Sequence, residues 1–255
     1  LASGKMAIHR MNEKPIKTAA GARFNETHWS LVIAAGEKNA RSEQALQRLC
    51  QNYWFPLYAF VRREGYSQHD AEDYTQAFLA RLIASDDLAA VDRERGRFRS
   101  FLLASMKHFL ANEREKARAQ KRGGGAPVLS IDFANAESMY AVEPSHDLSP
   151  DKLYDRRWAI AVLEQAMVRL KEEMTSEGKE DHFEHLKTLL TGGKGDVRYA
   201  EISVNLGISQ SAVKTAVHRL RKRYRKLLGA EIADTVETKQ EVEQELRDLL
   251  VALAG

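Results

Sequence analysis

The sequence predicts an all-α protein: two small helical domains joined by a flexible linker, the second a helix-turn-helix domain. Three observations carry that expectation. Apolar residues recur at spacings of three and four along nearly the whole chain, and the strand-like alternation is confined to Val128-Leu-Ser-Ile-Asp-Phe133. Gly123-Gly-Gly125, followed by Pro127, Pro144 and Pro150, interrupts the helical pattern near mid-chain. In the C-terminal half, Leu206-Gly207-Ile208 separates two amphipathic segments in the manner of a tight turn between helices. The chain's 255 residues suit one large domain or two small ones, either able to bury a core.

The elements follow in order. Residues 1–23 are polar and read as a disordered or non-native segment, Leu1-Ala-Ser-Gly-Lys5 resembling a cloning scar with Met6 or Met11 as native starts. The first domain, 24–122, begins with a helix after Asn25-Glu26-Thr27 that carries Trp29, Leu31, Val32 and Ile33. A longer helical stretch, Ser42 to Glu64, holds Leu46, Leu49, Tyr53, Trp54, Phe55, Leu57 and Phe60, and its Pro56 is expected to kink or break it. Gly65 ends this stretch and Ser67 caps the next helix, Gln68 to Ser85. A turn at Asp92-Arg-Glu-Arg-Gly96 leads into a long basic helix, about Phe98 to Gln120. Residues 123–150 form the linker.

In the second domain, 151–230, helix resumes near Asp151 and runs past Trp158, Ile160, Leu163, Met167 and Leu170. A short helix spans His182 to Leu190, and Gly192-Gly-Lys-Gly195 is a flexible break. Helices from Val197 to Asn205 and from Ser209 to Leu228 flank the glycine turn. The acidic, amphipathic extension 231–255 sets Val236, Val242, Leu246, Leu249, Leu250 and Leu253 on one apolar stripe.

Composition narrows the function. A single cysteine, Cys50, excludes a disulfide framework and a thiolate zinc site and points to a reducing, cytoplasmic compartment. Apolar runs such as Leu249 to Ala254 fall far short of the roughly 20 residues that span a bilayer, and no signal peptide is visible, so no membrane insertion is expected. The formal net charge of +3 is a cancellation. Residues 93–122 hold ten Lys/Arg and three acids, residues 214–226 hold seven Lys/Arg and no acid, and the remainder is strongly acidic. Two compact basic segments are what phosphate backbones attract through counterion release. Enzyme chemistry finds no support, and no cofactor or metal is expected. Thr191-Gly-Gly-Lys-Gly195 lacks the first Gly and the final Ser/Thr of a phosphate loop, and His182 and His185 lack a third metal ligand.

Three segments carry candidate binding residues. In the helix from Ser209, the residues Val213, Val217, Leu220, Tyr224 and Leu227 form an inner face, with Lys214, His218, Arg221, Lys222 and Arg225 opposite. The early residues Ser209, Gln210, Ser211, Lys214 and Thr215 are placed to reach base edges in a major groove, with Arg219 beside them. In the basic helix, Phe98, Phe101, His108 and Phe109 interleave with Arg99, Lys107 and Arg114, a mixture suited to holding separated strands. For the aromatics alone, the simpler reading is core. In the helix from Gln68, carboxylates crowd the first turn, where the helix dipole favours them; they also make a face for a basic partner.

The order of these motifs resembles an extracytoplasmic-function (ECF) sigma factor of bacterial RNA polymerase, the small sigma-70-family type with regions 2 and 4 only. The resemblance rests on Asp70-Ala-Glu-Asp-x-x-Gln-x-Phe78, on Arg95-Gly-x-Phe-Arg-x-Phe-Leu102, and on Tyr199-x-Glu-Ile leading to Leu206-Gly-Ile-Ser209 and His218-Arg-Leu-Arg-Lys222. It covers roughly residues 42–122 and 155–228, with terminal extensions of a subgroup. It implies that Asp70, Glu72, Asp73, Gln76 and Phe78 dock on the polymerase β′ clamp helices, and that the second domain meets the β flap. It also implies that Arg93, Arg95, Arg97, Arg99, Phe101, Lys107, His108 and Arg114 capture and melt the −10 element. The helix bearing Ser209, Gln210, Ser211, Lys214, Thr215, His218, Arg219, Arg221, Lys222 and Arg225 would read the −35 element. Phe101 stands where many members carry Trp, and His108 where many carry Asn. An inhibitory anti-sigma partner is implied as well. The alternative to such a partner is the acidic tail after Leu228, an internal charge complement folded back onto the basic recognition helix. The alternative reading is a helix-turn-helix regulator that binds duplex DNA without polymerase; a third is a helical protein whose basic faces bind an acidic partner.

Overall fold

The computed structural model describes residues 40–84, 97–119, 131, 133–143, 148–190, 196–236 and 238–254. The expected helix around Trp29 and the turn 92–96 lie outside them, as do most of the strand-like segment and the Gly192–Gly195 break. Among the described residues the chain is helical, with no strand. Helices α1 (Ala40–Arg63), α2 (Gln68–Ala84) and α3 (Phe98–Ala119) come first, then a short α4 (Ala136–Ala141). They are followed by α5 (Pro150–Ser176), α6 (Glu180–Leu186) with a 3₁₀ turn at Lys187–Leu189, α7 (Asp196–Leu206), α8 (Gln210–Ala233) and α9 (Lys239–Ala254). No helix among them is long and apolar enough to cross a membrane.

The first core gathers Tyr53, Leu57, Tyr58 and Phe60 of α1, Phe78 and Leu79 of α2, and Phe98, Leu102 and Met106 of α3. Its closing members come from far along the chain: Tyr154, Trp158 and Val162 of α5, Ile232 of α8 and Leu249 of α9. The second core joins Ala166, Leu170 and Met174 of α5 to Phe183, Leu186 and Leu189, then Ile202 of α7 and Val213, Val217, Leu220 and Leu227 of α8. Helix α5 therefore belongs to both cores. Its N-terminal half packs on α1 and its C-terminal half carries α8.

Pro56 lies inside α1 and does not break it. The missing N–H leaves the Asn52 carbonyl without its helical donor, but Pro56 is buried among side chains whose packing on α5 holds the helix through it. Cys50 is buried as well, and desolvation pushes its thiol up to about 12, which keeps it unreactive.

The described part of the 123–150 segment is docked rather than loose. Helix α4 lies against α1, where Glu137 accepts from Arg62 Nη2 at 2.7 Å and from the Tyr58 hydroxyl at 2.6 Å. Ile131 and Phe133 pack on the first core. Pro150, which reads as linker punctuation, stands in the first turn of α5 behind the N-cap Ser149, whose side chain accepts from the Lys152 N–H.

Helix α9 starts from a reciprocal cap. The Glu241 N–H donates to the Thr238 hydroxyl at 3.3 Å and the Thr238 N–H donates to the Glu241 carboxylate at 2.8 Å. Of the apolar stripe expected on the tail, Val236 and Leu249 are buried and Val242, Leu246 and Leu253 are partly so. Leu250 departs from it, at 67% exposed, while Glu245 is buried at 1%. Glu245 sits three residues after Val242 and four before Leu249, so the helical turn puts it on the inner face.

Candidate nucleic-acid interface

The turn between α7 and α8 is built by local sequence. Gly207 adopts φ +62°, the left-handed region that glycine enters without penalty. There the Ile208 N–H donates to the Ser203 carbonyl at 3.1 Å and the Gly207 N–H to the Val204 carbonyl at 3.2 Å, closing α7 with a Schellman pattern. The Ser203 hydroxyl donates to the Ile208 carbonyl at 2.6 Å. One residue on, Ser209 caps α8, its side chain accepting from the Ala212 N–H at 3.2 Å.

Helix α8 then divides by face. Val213, Val217, Leu220 and Leu227 are buried, and the half-buried Tyr224 donates its hydroxyl to the Leu163 carbonyl at 3.0 Å. Ser209, Gln210, Ser211, Lys214, Thr215, His218, Arg219, Lys222 and Arg225 are all exposed. Thr215 donates back to the Ser211 carbonyl at 3.0 Å, and Lys214 Nζ stands 5.7 Å from the Tyr199 ring centroid. Arg221 differs from the rest. It is half-buried and donates to the Leu189 carbonyl at 2.6 Å, so it holds α8 to the turn after α6. Arg223 is likewise tied, to Glu173 at 2.5 Å and Glu177 at 2.6 Å. Its guanidinium and the Lys179 ammonium hold the Glu177 carboxyl down at about 2. Lys214, Arg219, Lys222 and Arg225 have no carboxylate partner among the described residues.

The first basic segment is arranged in the opposite way. Arg93 and Arg95 lie outside the described residues. Arg97 pairs with Asp248 at 2.5 Å and with Glu245 at 3.3 Å. Arg99, 8% exposed, pairs with Asp155 at 2.5 Å, with Glu245 at 3.2 Å and with Asp248 at 3.2 Å. Lys107 meets Asp151 at 2.6 Å, and Arg114 meets Glu64 at 3.0 Å. Burial pushes the Glu245 and Asp155 carboxyls up, against the pull of Arg99. Burial also works to raise Asp248, but hydrogen bonds from Gln244 and Arg97 outweigh it and leave that carboxyl low. The Phe98 N–H, at the open end of α3, donates to the Thr235 carbonyl at 3.2 Å. Phe98, Leu102 and Phe109 are core; Phe101 is half-buried and His108 exposed. The tail thus folds back onto the start of α3, not onto the exposed basic face of α8. The carboxylates that the sequence points at α8 find their partners in Arg97 and Arg99.

On α2, Asp70 is bound into the helix cap. The Ser67 hydroxyl donates to its carboxylate at 2.6 Å and accepts from its N–H at 3.1 Å. Glu72 accepts from Gln68 at 3.0 Å, and Asp73 stands 3.5 Å from His69. Asp70 and Asp73 are exposed, while Glu72 and Gln76 are half-buried. Phe78 is a core residue, its ring 5.7 Å from that of Phe109, and does not share the acidic face.

Asp151, Asp155, Glu245 and Asp248 are the residues that motif reading passes over. They carry no motif of their own. The signal available for the last two was the capping pattern Thr238-Lys-Gln-Glu241, which fixes the register that turns residue 245 inward. Compared with known proteins, the chain matches no family model, no curated protein and no solved structure.

Proposed function

We propose that the chain is a promoter-recognition subunit of the ECF sigma type, which binds core RNA polymerase, reads a −35 and a −10 element, and assists strand opening. The observation that carries this reading is the exposed stripe Lys214, Arg219, Lys222 and Arg225 on α8, without carboxylate partners among the described residues, behind a glycine turn and a serine cap. A cation left unpaired on one face, beside the small polar residues Ser209, Gln210, Ser211 and Thr215, fits a helix seated in a major groove. The exposed carboxylates Asp70 and Asp73 on α2 supply the polymerase-docking face. No catalytic residue is required, because binding energy at the two elements and on polymerase offsets the cost of unpairing. The protein acts in the cytoplasm, and an inhibitory anti-sigma partner would control access to its docking faces.

The test is co-purification with bacterial core polymerase, followed by run-off transcription from promoters selected by the reconstituted holoenzyme. Core binding with promoter-dependent transcripts supports the reading. Duplex DNA binding without core binding would establish the regulator alternative instead. Within the holoenzyme, Asp73→Lys is expected to weaken core binding while duplex binding is retained.

A further inference from the structure

We infer that α9 is an internal competitor for nucleic acid, its carboxylates Glu245 and Asp248 occupying Arg97 and Arg99 in place of phosphates. The inference rests on the proposed role of those two arginines in strand capture.

Three features of the geometry support it. First, the pairing is selective. On α8, Lys214, Arg219, Lys222 and Arg225 stand free of carboxylates among the described residues and only Arg223 is paired, while Arg97, Arg99 and Lys107 are each matched to an acid from beyond residue 150. Second, Glu245 is a poor choice for stability alone. A carboxylate at 1% exposure pays heavily in lost hydration, and pairs of this kind are weak contributors compared with apolar packing. An alkyl side chain would fill this inner-face position without desolvating a charge, so the acid points to a contact made to be exchanged. Third, the competitor is a separable unit. Helix α9 is set off from α8 by the turn at Asp234–Thr235, begins at its own cap, and shows an apolar outer edge at Leu250 and Val251. A bound strand offers oxygens of the same charge to the same guanidinium groups, so strand and helix exclude one another.

The probe is a fluorescent 20-nucleotide single-stranded DNA, titrated against the full chain over a range of salt. The Glu245→Gln/Asp248→Asn double variant is expected to bind at least tenfold more tightly. Its log–log salt slope should steepen by about 1.4, the release expected for two further phosphate contacts on a single strand. Adding Arg97→Ala/Arg99→Ala to that variant should erase the gain. No gain in the double variant, with affinity of the wild-type chain still lowered by Arg97→Ala/Arg99→Ala, overturns the competitor and leaves the strand-capture role standing. Insensitivity to both sets removes the strand-capture role, and the competitor with it. Hydrogen exchange on the wild-type chain provides a check that needs no variant. Saturating single strand should accelerate amide exchange across 239–254, and unchanged exchange there overturns the inference.

Discussion

The Arg99 guanidinium lies 4.1 Å from the ring centroid of Trp158. Trp158 donates its indole N–H to the Tyr53 hydroxyl at 3.0 Å, and Tyr154 donates its hydroxyl to the Arg99 carbonyl at 3.0 Å. Helices α1, α3 and α5 meet at this point. A cation over an indole ring is attracted by the ring's negative face, most strongly when both are removed from water.

Replacing Trp158 tests that junction. Trp158→Phe keeps most of the volume but removes the indole donor from the Tyr53 hydroxyl and weakens the Arg99 contact. The expected loss is about 1–3 kcal/mol. Trp158→Ala adds a cavity and should cost about 3–5 kcal/mol. Urea unfolding midpoints measure both, and a Trp158→Phe variant as stable as the parent would remove the junction's importance.

Gly207 and Gly229 make a matched pair. Beyond the adjoining backbone, neither has an atom within 4 Å of where a Cβ would stand. Gly207 holds φ +62°, so Gly207→Ala should cost about 1–2 kcal/mol through backbone strain alone. Gly229 lies within α8, where alanine is the better helix former, so Gly229→Ala should stabilise by about 0.5–1 kcal/mol. Thermal midpoints moving in opposite directions would confirm the difference.

The anchoring of α8 is expected to depend on acid pH. Glu177 in the folded chain sits at about 2, below its ordinary value of 4.5. A depressed carboxyl contributes stability above the unfolded value and loses it as pH falls through the folded one. The window is therefore 4.5 down to about 2. Glu177→Gln should flatten the part of the stability–pH profile that falls in this window while leaving the profile above it parallel to the parent. Identical slopes in the two proteins at acid pH would refute the assignment.

Arg221 and Lys222 are neighbours with different duties. Arg221→Ala breaks the bond to the Leu189 carbonyl, so it should lower stability by about 1 kcal/mol or more as well as weaken DNA binding. Lys222→Ala removes only an exposed cation. It should leave stability within about 0.5 kcal/mol and reduce the salt slope of duplex binding by about 1. Salt titrations and unfolding curves on both variants separate the roles.

Much of this protein is legible in its sequence, because the determinants are local. The glycine turn, the Ser209 cap and the inner face Val213, Val217, Leu220 and Leu227 are set by backbone sterics and helical spacing, which act over a few residues. The two basic segments are legible for the same reason, since charge can be counted along the chain. Tertiary structure alone decided which charges remain available. Whether Arg99 faces solvent or Glu245 depends on a contact across 146 residues, and no periodicity reports it. Pro56 stays helical, α4 is docked, Phe78 is core and Leu250 is exposed for one shared reason. Packing between distant helices, with α5 common to both cores, outweighs the local preference at each position.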